Sequence, residues 1–225
     1  MEELINRGIA ACKKEQYEEG VHCFSQVIEK EPLSIEALYN RARAFAKLGR
    51  MSESLGDFKR LVEIQPENAD FRGDYAVSLH LNKQRNEALA EFEKAITLDP
   101  ENPYRYSSLA FFKDRIGESK AAIEAYEKAI ALDPEDAIAL NNKGLIEEKL
   151  GRQEAAKKSF DKSNQLVGYD PSNTKPQDRK SESNFHPTPS EKPQTITEVF
   201  KSLLTKEGFD DFKRFTKDFF TKKRG

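Results

Sequence analysis

Tyr39, Asn40 and Arg43 open a series of four side-chain clusters that suit the recognition of a peptide. Asp74, Val77 and His80 follow, then Tyr104, Ser108, Phe111 and Arg115, then Asn141, Asn142 and Leu145. Tyrosine and phenylalanine supply rigid contact area, and arginine supplies a forked donor that matches a carboxylate. Asparagine can both donate to and accept from a peptide backbone. Each cluster falls within about one to three helical turns, so its members can share one face of a helix.

Covalent chemistry finds no comparable support. Cys12 and Cys23 lie 11 residues apart with no Cys-x-x-Cys, and His22, His80 and His186 are scattered, so no metal-ligand spacing emerges. The carboxylate pairs Glu147–Glu148 and Asp210–Asp211 sit among abundant surface charge. There is no glycine-rich phosphate loop, nucleophile elbow or His-Glu zinc helix. The reading is a non-enzymatic chain with no catalytic residue, metal or cofactor. His80 reads more readily as a solvated residue than as a ligand contact, and Tyr104 and Phe111 read equally as packing between neighbouring elements.

The elements that must position these clusters repeat. Phe24, Phe58, Phe92, Tyr126 and Phe160 follow one another at steps of 34 residues with no insertion. Small residues keep the same step at Gly8, Ala42, Ala76, Ala110 and Gly144, and again at Gly20, Ser54, Ala88, Ala122 and Ala156. Prolines do so at Pro32, Pro66, Pro100 and Pro134. Within a unit the apolar residues recur at helical spacing, as in Tyr106, Leu109 and Ala110, then Ala122, Tyr126, Ala129 and Ile130, so each unit predicts two amphipathic helices. Small residues let the two axes approach, an aromatic fills the space one turn away, and proline stops the second helix. One such hairpin cannot bury its own apolar stripe, so five of them over residues 1–168 predict a continuous stacked core.

These columns resemble the tetratricopeptide repeat family, whose pattern is matched at Leu4, Gly8, Gly20, Phe24 and Pro32 and at the corresponding positions of the later units. The resemblance implies an all-α fold, a right-handed superhelical solenoid of helix-turn-helix repeats. Its first helices would line a groove for an extended or helical segment of a protein partner, and the four clusters above are the side chains expected there. Arg72 departs from the pattern, in a slot otherwise held by Leu4, Leu38, Tyr106 and Leu140, and Gly73 follows it. The third unit is therefore the expected weak joint or bend. Repeats of the family that clamp a chaperone's C-terminal carboxylate carry Lys and Asn in the slots of Ile5 and Ile9, and Lys and Arg in those of Asp70 and Asp74. Only Asn40 agrees with that subtype, so no such clamp is expected.

Residues 169–194 hold five of the ten prolines amid Ser, Asn, Lys and Asp and read as a linker. Residues 195–224 then read as a C-terminal amphipathic helical tail, opened by a capping box at Thr195–Glu198 and carrying Phe200, Leu204, Phe209, Phe212, Phe215 and Phe219 among lysines and arginines. Three destinations suit that face: the chain's own groove, another protein, or an anionic membrane surface, the last defining the alternative reading of a peripheral membrane protein. Charge favours the first, since residues 1–170 carry 25 Lys+Arg against 31 Asp+Glu and residues 171–225 carry 12 against 8. An acidic body and a basic terminus of only three residues, Lys222–Arg224, argue against nucleic acid. The acidic start at Glu2–Glu3, the absence of a long apolar run and the unpaired cysteines suggest a cytoplasmic chain.

Overall fold

The computed structural model describes residues 1–169. The chain divides into two units, Met1–Asn173 and Thr174–Gly225. The linker and tail expectations, including Phe200, Leu204, Phe209, Phe212, Phe215 and Phe219, lie outside the described residues, apart from Tyr169. Among the described residues there are ten helices and no strand: α1 (Glu2–Lys13), α2 (Tyr17–Lys30), α3 (Ile35–Lys47), α4 (Met51–Ile64), α5 (Ala69–Leu81), α6 (Arg85–Leu98), α7 (Pro103–Arg115), α8 (Ser119–Leu132), α9 (Ala137–Lys149) and α10 (Gln153–Val167). None of these helices is long and apolar enough to cross a membrane.

They pair in sequence order as five hairpins, and each hairpin packs on the next, giving an all-α solenoid. The 34-residue columns account for the packing. Ala42, Ala76 and Ala110 are fully buried, as are Ala88 and Ala122, while Phe24, Phe58, Phe92 and Tyr126 fill the space between helices. Burying one such aromatic contributes about 2–3 kcal/mol. Where the small residue is glycine the aromatic sits closer. A methyl group on Gly8 would lie 2.6 Å from Phe24 Cε1, and one on Gly144 would lie 2.7 Å from Phe160 Cε1.

Helix ends follow the same period. Asn68, Asn102 and Asp136 cap α5, α7 and α9 through their side-chain oxygens, satisfying backbone N–H groups that the first turn leaves without partners. The prolines stand just beyond α2, α4, α6 and α8. Inside every hairpin the chain turns through one left-handed residue, glycine at Gly49, Gly117 and Gly151 but Glu15 (φ 63°) and Lys83 (φ 65°) in units one and three. The turn is locked by the same backbone bond each time, for example Arg50 N–H to Phe45 O at 2.9 Å and Gln84 N–H to Leu79 O at 2.9 Å. A side chain in this conformation is strained, and glycine is not. Lys83→Gly should therefore stabilise the fold by about 0.5–1 kcal/mol in chemical denaturation, net of the entropy glycine adds to the unfolded chain. A loss of stability would mean that the Lys83 side chain contributes more than its turn costs.

The apolar core is segmented. One cluster joins Phe24, Leu38, Phe58 and Leu61 of the first two units, another joins Leu79, Phe92, Leu109 and Phe112, and a third joins Ile123, Tyr126 and Ile146. Polar ties run alongside them. Arg41 grips Asp57 bidentately at 2.7 and 2.8 Å and reaches Ser25 on α2. Arg72, in the slot that leucine or tyrosine holds elsewhere, bonds Glu91 Oε2 at 2.6 Å and the Pro66 carbonyl at 2.7 Å. Gly73 sits within an unbroken α5, with room for a methyl group 3.6 Å from Arg105 Nη1.

Candidate functional site

All the side chains expected in the groove lie on first helices: Tyr39, Asn40 and Arg43 on α3; Asp74, Val77 and His80 on α5; Tyr104, Ser108, Phe111 and Arg115 on α7; Asn141, Asn142 and Leu145 on α9. Among first helices α1 meets α3 and α5 meets α7, so the α5 and α7 residues lie on adjacent elements.

Three units converge at Asp74. Tyr39 is packed edge-on against Phe58, with ring centroids 6.1 Å apart, and tilted on Phe71 at 5.9 Å. That packing fixes the ring, and its hydroxyl lies beside the Asp74 carboxylate on the next first helix. Burial is the main reason that the Tyr39 phenol is held well above its ordinary pKa, and the Asp74 charge adds to it. The Arg43 guanidinium lies over the Tyr39 ring at 5.6 Å. Tyr104, one unit further on, lies beside Ser108 of its own helix, and its pKa is raised by burial first and by Asp74 second. The residue as a whole is nevertheless 50% exposed. Much of the side chain is therefore available as contact area.

Asp74 is the unusual group. Desolvation pushes its carboxyl up to about 6, against the opposing effects of Arg43 and the Tyr39 hydroxyl, and Asp70 one turn earlier raises it further. Like charges four residues apart on a helix repel. Asp70 is itself held by Arg105, a nearly buried arginine that also bonds Asp99 at 3.2 Å. Arg105 and Asp70 were not among the side chains expected to shape this surface. The signal for Arg105 was available: its slot is held by Ala37, Phe71 and Ala139 in three other units, and a charge in a column of apolar residues needs a partner.

Other expected residues are partly committed elsewhere. Asn40 donates from its side chain to the Glu36 carbonyl at 2.8 Å, and Asn142 lies beside the Tyr126 hydroxyl of α8. Val77 packs against the Leu79–Phe112 cluster. The His80 ring stands edge-on to Phe112 at 5.0 Å. Burial and the nearby Arg115 and Arg85 keep its pKa below the ordinary histidine value, so its ring is neutral at pH 7. Phe111, Ser108 and Asn141 are half-buried and Arg115 is exposed. Among the described residues no cluster of His, Cys, Asp and Glu has the arrangement of a metal site.

Models of the tetratricopeptide repeat match residues 5–69, 69–102 and 137–166, and a TPR repeat model matches residues 116–151. The chain belongs to the tetratricopeptide repeat family. No curated protein matches it. Among solved structures, a crystal structure of MamA aligns at a TM-score of 0.61 and 22% identity over 78% of this chain and 96% of that one. MamA from Desulfovibrio magneticus RS-1, from residue 41 to its end, aligns at a TM-score of 0.64 and 22% identity over 74% and 94%. YrrB, described as a TPR protein with an unusual peptide-binding site, aligns at 0.55 and 18% identity over 72% and 84%. At these identities the likeness concerns the fold. As a tetratricopeptide repeat protein, the chain carries a scaffold whose general use is protein interaction.

Proposed function

We propose that this chain is a non-enzymatic scaffold or adaptor that takes a segment of a partner protein into the groove lined by α3, α5, α7 and α9. The observation that carries this reading is the convergence of Tyr39, Asp74, Tyr104 and Ser108, from three successive units, on one surface where a half-exposed aromatic faces outward. Aromatic, arginine and amide groups on a rigid framework are what a peptide-binding surface requires.

A photo-crosslinking phenylalanine analogue installed at Tyr104 should capture the partner in cells, whereas the same analogue at Lys59, exposed on the second helix α4, should not. Capture from Lys59 alone would remove the groove assignment. With the captured partner in hand, Tyr104→Ala should weaken binding about tenfold, equivalent to roughly 1.4 kcal/mol, with little change in melting temperature.

The basic, aromatic segment 195–224 is the regulatory part of this proposal. Its charge is opposite to that of residues 1–170, and it competes with the partner for the groove. The partner should then bind a chain ended after Asn173 more tightly than the full chain. Equal affinity would remove the regulatory role and leave the groove reading intact.

A further inference from the structure

We propose that the centre of the groove selects a partner segment by a lysine or arginine side chain, received at Asp74 and Asp70 between the rings of Tyr39 and Tyr104. This deepens the groove reading and rests on it.

The four residues come from α3, α5 and α7 and supply two kinds of attraction for a cation. Carboxylate oxygens accept charge-assisted hydrogen bonds from an ammonium or guanidinium, and the faces of tyrosine rings attract a cation placed over them. The rings already show that affinity within the chain: Arg43 stands 5.6 Å from the Tyr39 centroid and Arg105 stands 6.0 Å from that of Tyr104. The carboxylates are suited to a further partner. Arg105 holds Asp70 through Oδ1, and the Asp70 side chain is 76% exposed in spite of that tie. Asp74 is half-buried beside Arg43 and the Tyr39 hydroxyl, and desolvation there disfavours its charge. A carboxylate kept at a cost in a cleft, beside a second carboxylate and a half-exposed ring, is compensated when a cation arrives.

Charge balance points the same way. Arg43 and Arg105 bring two positive charges to this centre against Asp70, Asp74 and Asp99, so the site is anionic before a partner binds. The neighbouring Val77 and Phe111 are half-buried apolar side chains. They suit an apolar residue of the partner one or two positions from its lysine or arginine.

The test is selection of a random peptide library displayed on phage, with the full chain immobilised, beside the Asp74→Asn, Asp70→Asn and Tyr104→Ala, Phe111→Ala double variants. Recovered peptides should carry Lys or Arg at one register position at about fivefold or more above the library frequency. The carboxamide variant should still recover peptides but lose that preference. Recovery of peptides without a basic position, or an unchanged preference in the carboxamide variant, overturns the inference while leaving the groove in place. Recovery that is indifferent to loss of Tyr104 and Phe111, or no recovery from any form of the chain, overturns the groove reading itself. Recovery that appears only after Phe212→Ala and Phe215→Ala are introduced identifies the chain's own basic segment as the occupant and overturns the assignment to a partner.

Discussion

Replacing Arg72 with leucine should destabilise the fold by about 2–4 kcal/mol, although leucine occupies the same slot at Leu4, Leu38 and Leu140. The reason lies across the hairpin. Arg72 and Glu91 are nearly buried, with side-chain exposures of 14% and 11%, and are joined at 2.6 Å. Removing the arginine leaves a desolvated carboxylate with Lys94, 55% exposed, as its remaining cation, and an exposed lysine screens a buried charge poorly. The Pro66 carbonyl also loses its donor. The pair Arg72→Leu with Glu91→Ala removes both charges and recreates the combination of a large apolar residue with a small one. It should match or exceed the parent, because a buried ion pair adds little over well-packed apolar side chains. Urea denaturation of the parent, both single variants and the double variant measures this cycle. A double variant as unstable as Arg72→Leu would show that the slot in α5 cannot accept an apolar side chain, and that arginine is there for shape.

The second large effect has the opposite sign. Asp74→Asn should stabilise the chain at pH 7.5 by up to about 3 kcal/mol, the linkage equivalent of raising a carboxyl from 3.8 to about 6. A folded-state carboxyl that binds its proton more tightly than the unfolded chain does makes folding less favourable as pH rises. The penalty is absent below about pH 4, accumulates between 4 and 6, and is complete above that range. Burial sets it first, Arg43, the Tyr39 hydroxyl and Arg105 oppose it, and Asp70 adds to it. Asparagine keeps an acceptor for Tyr39 without the charge. The difference in melting temperature between variant and parent should therefore be large at pH 7.5 and vanish near pH 4. A less stable variant at pH 7.5 would mean that Arg43 compensates the carboxylate fully. On the cation-recognition inference the same substitution costs the groove its preference for basic residues, so a better-folded protein would be a less selective one.

The helices were legible because their cause is periodic. Phe24 and its successors, the small columns and the prolines each record a steric requirement that recurs every unit, and the hairpins form where those requirements place them. The turn residues were half legible: Gly117 marks its helix end, but Glu15 and Lys83 take the same left-handed conformation with no residue type to announce it. The closed hydrogen-bonded turn around them decides their backbone, overriding preference. The placement of Tyr39, Arg43, Asp74 and Tyr104 on first helices followed from helical spacing. Their coupling did not, because Tyr39 meets Asp74 through packing between neighbouring hairpins. The charged ties had the same obstacle. Arg72 finds Glu91 across its own hairpin, and Arg105 finds Asp70 across units, contacts that a pattern along one helix cannot display. Asn40 and Asn142 show the converse, since one turns back onto its own helix and the other onto Tyr126.

Arg105 also bears on how such a chain can change over generations. With every column in phase, whole units would be interchangeable, and excising residues 69–102 would join Glu67–Asn68 to Pro103, reproducing the native run Glu101–Asn102–Pro103. The backbone would accept the splice. Arg105 would fit it less well, because both carboxylates that hold it, Asp70 and Asp99, belong to the excised unit and only one would be replaced by another carboxylate. A nearly buried guanidinium left behind α4 would meet Gln65 in the place of Asp99 and Glu36 in the place of Asp70. The fourth unit is thus addressed to the third, and the order of otherwise similar modules is written in a few charges.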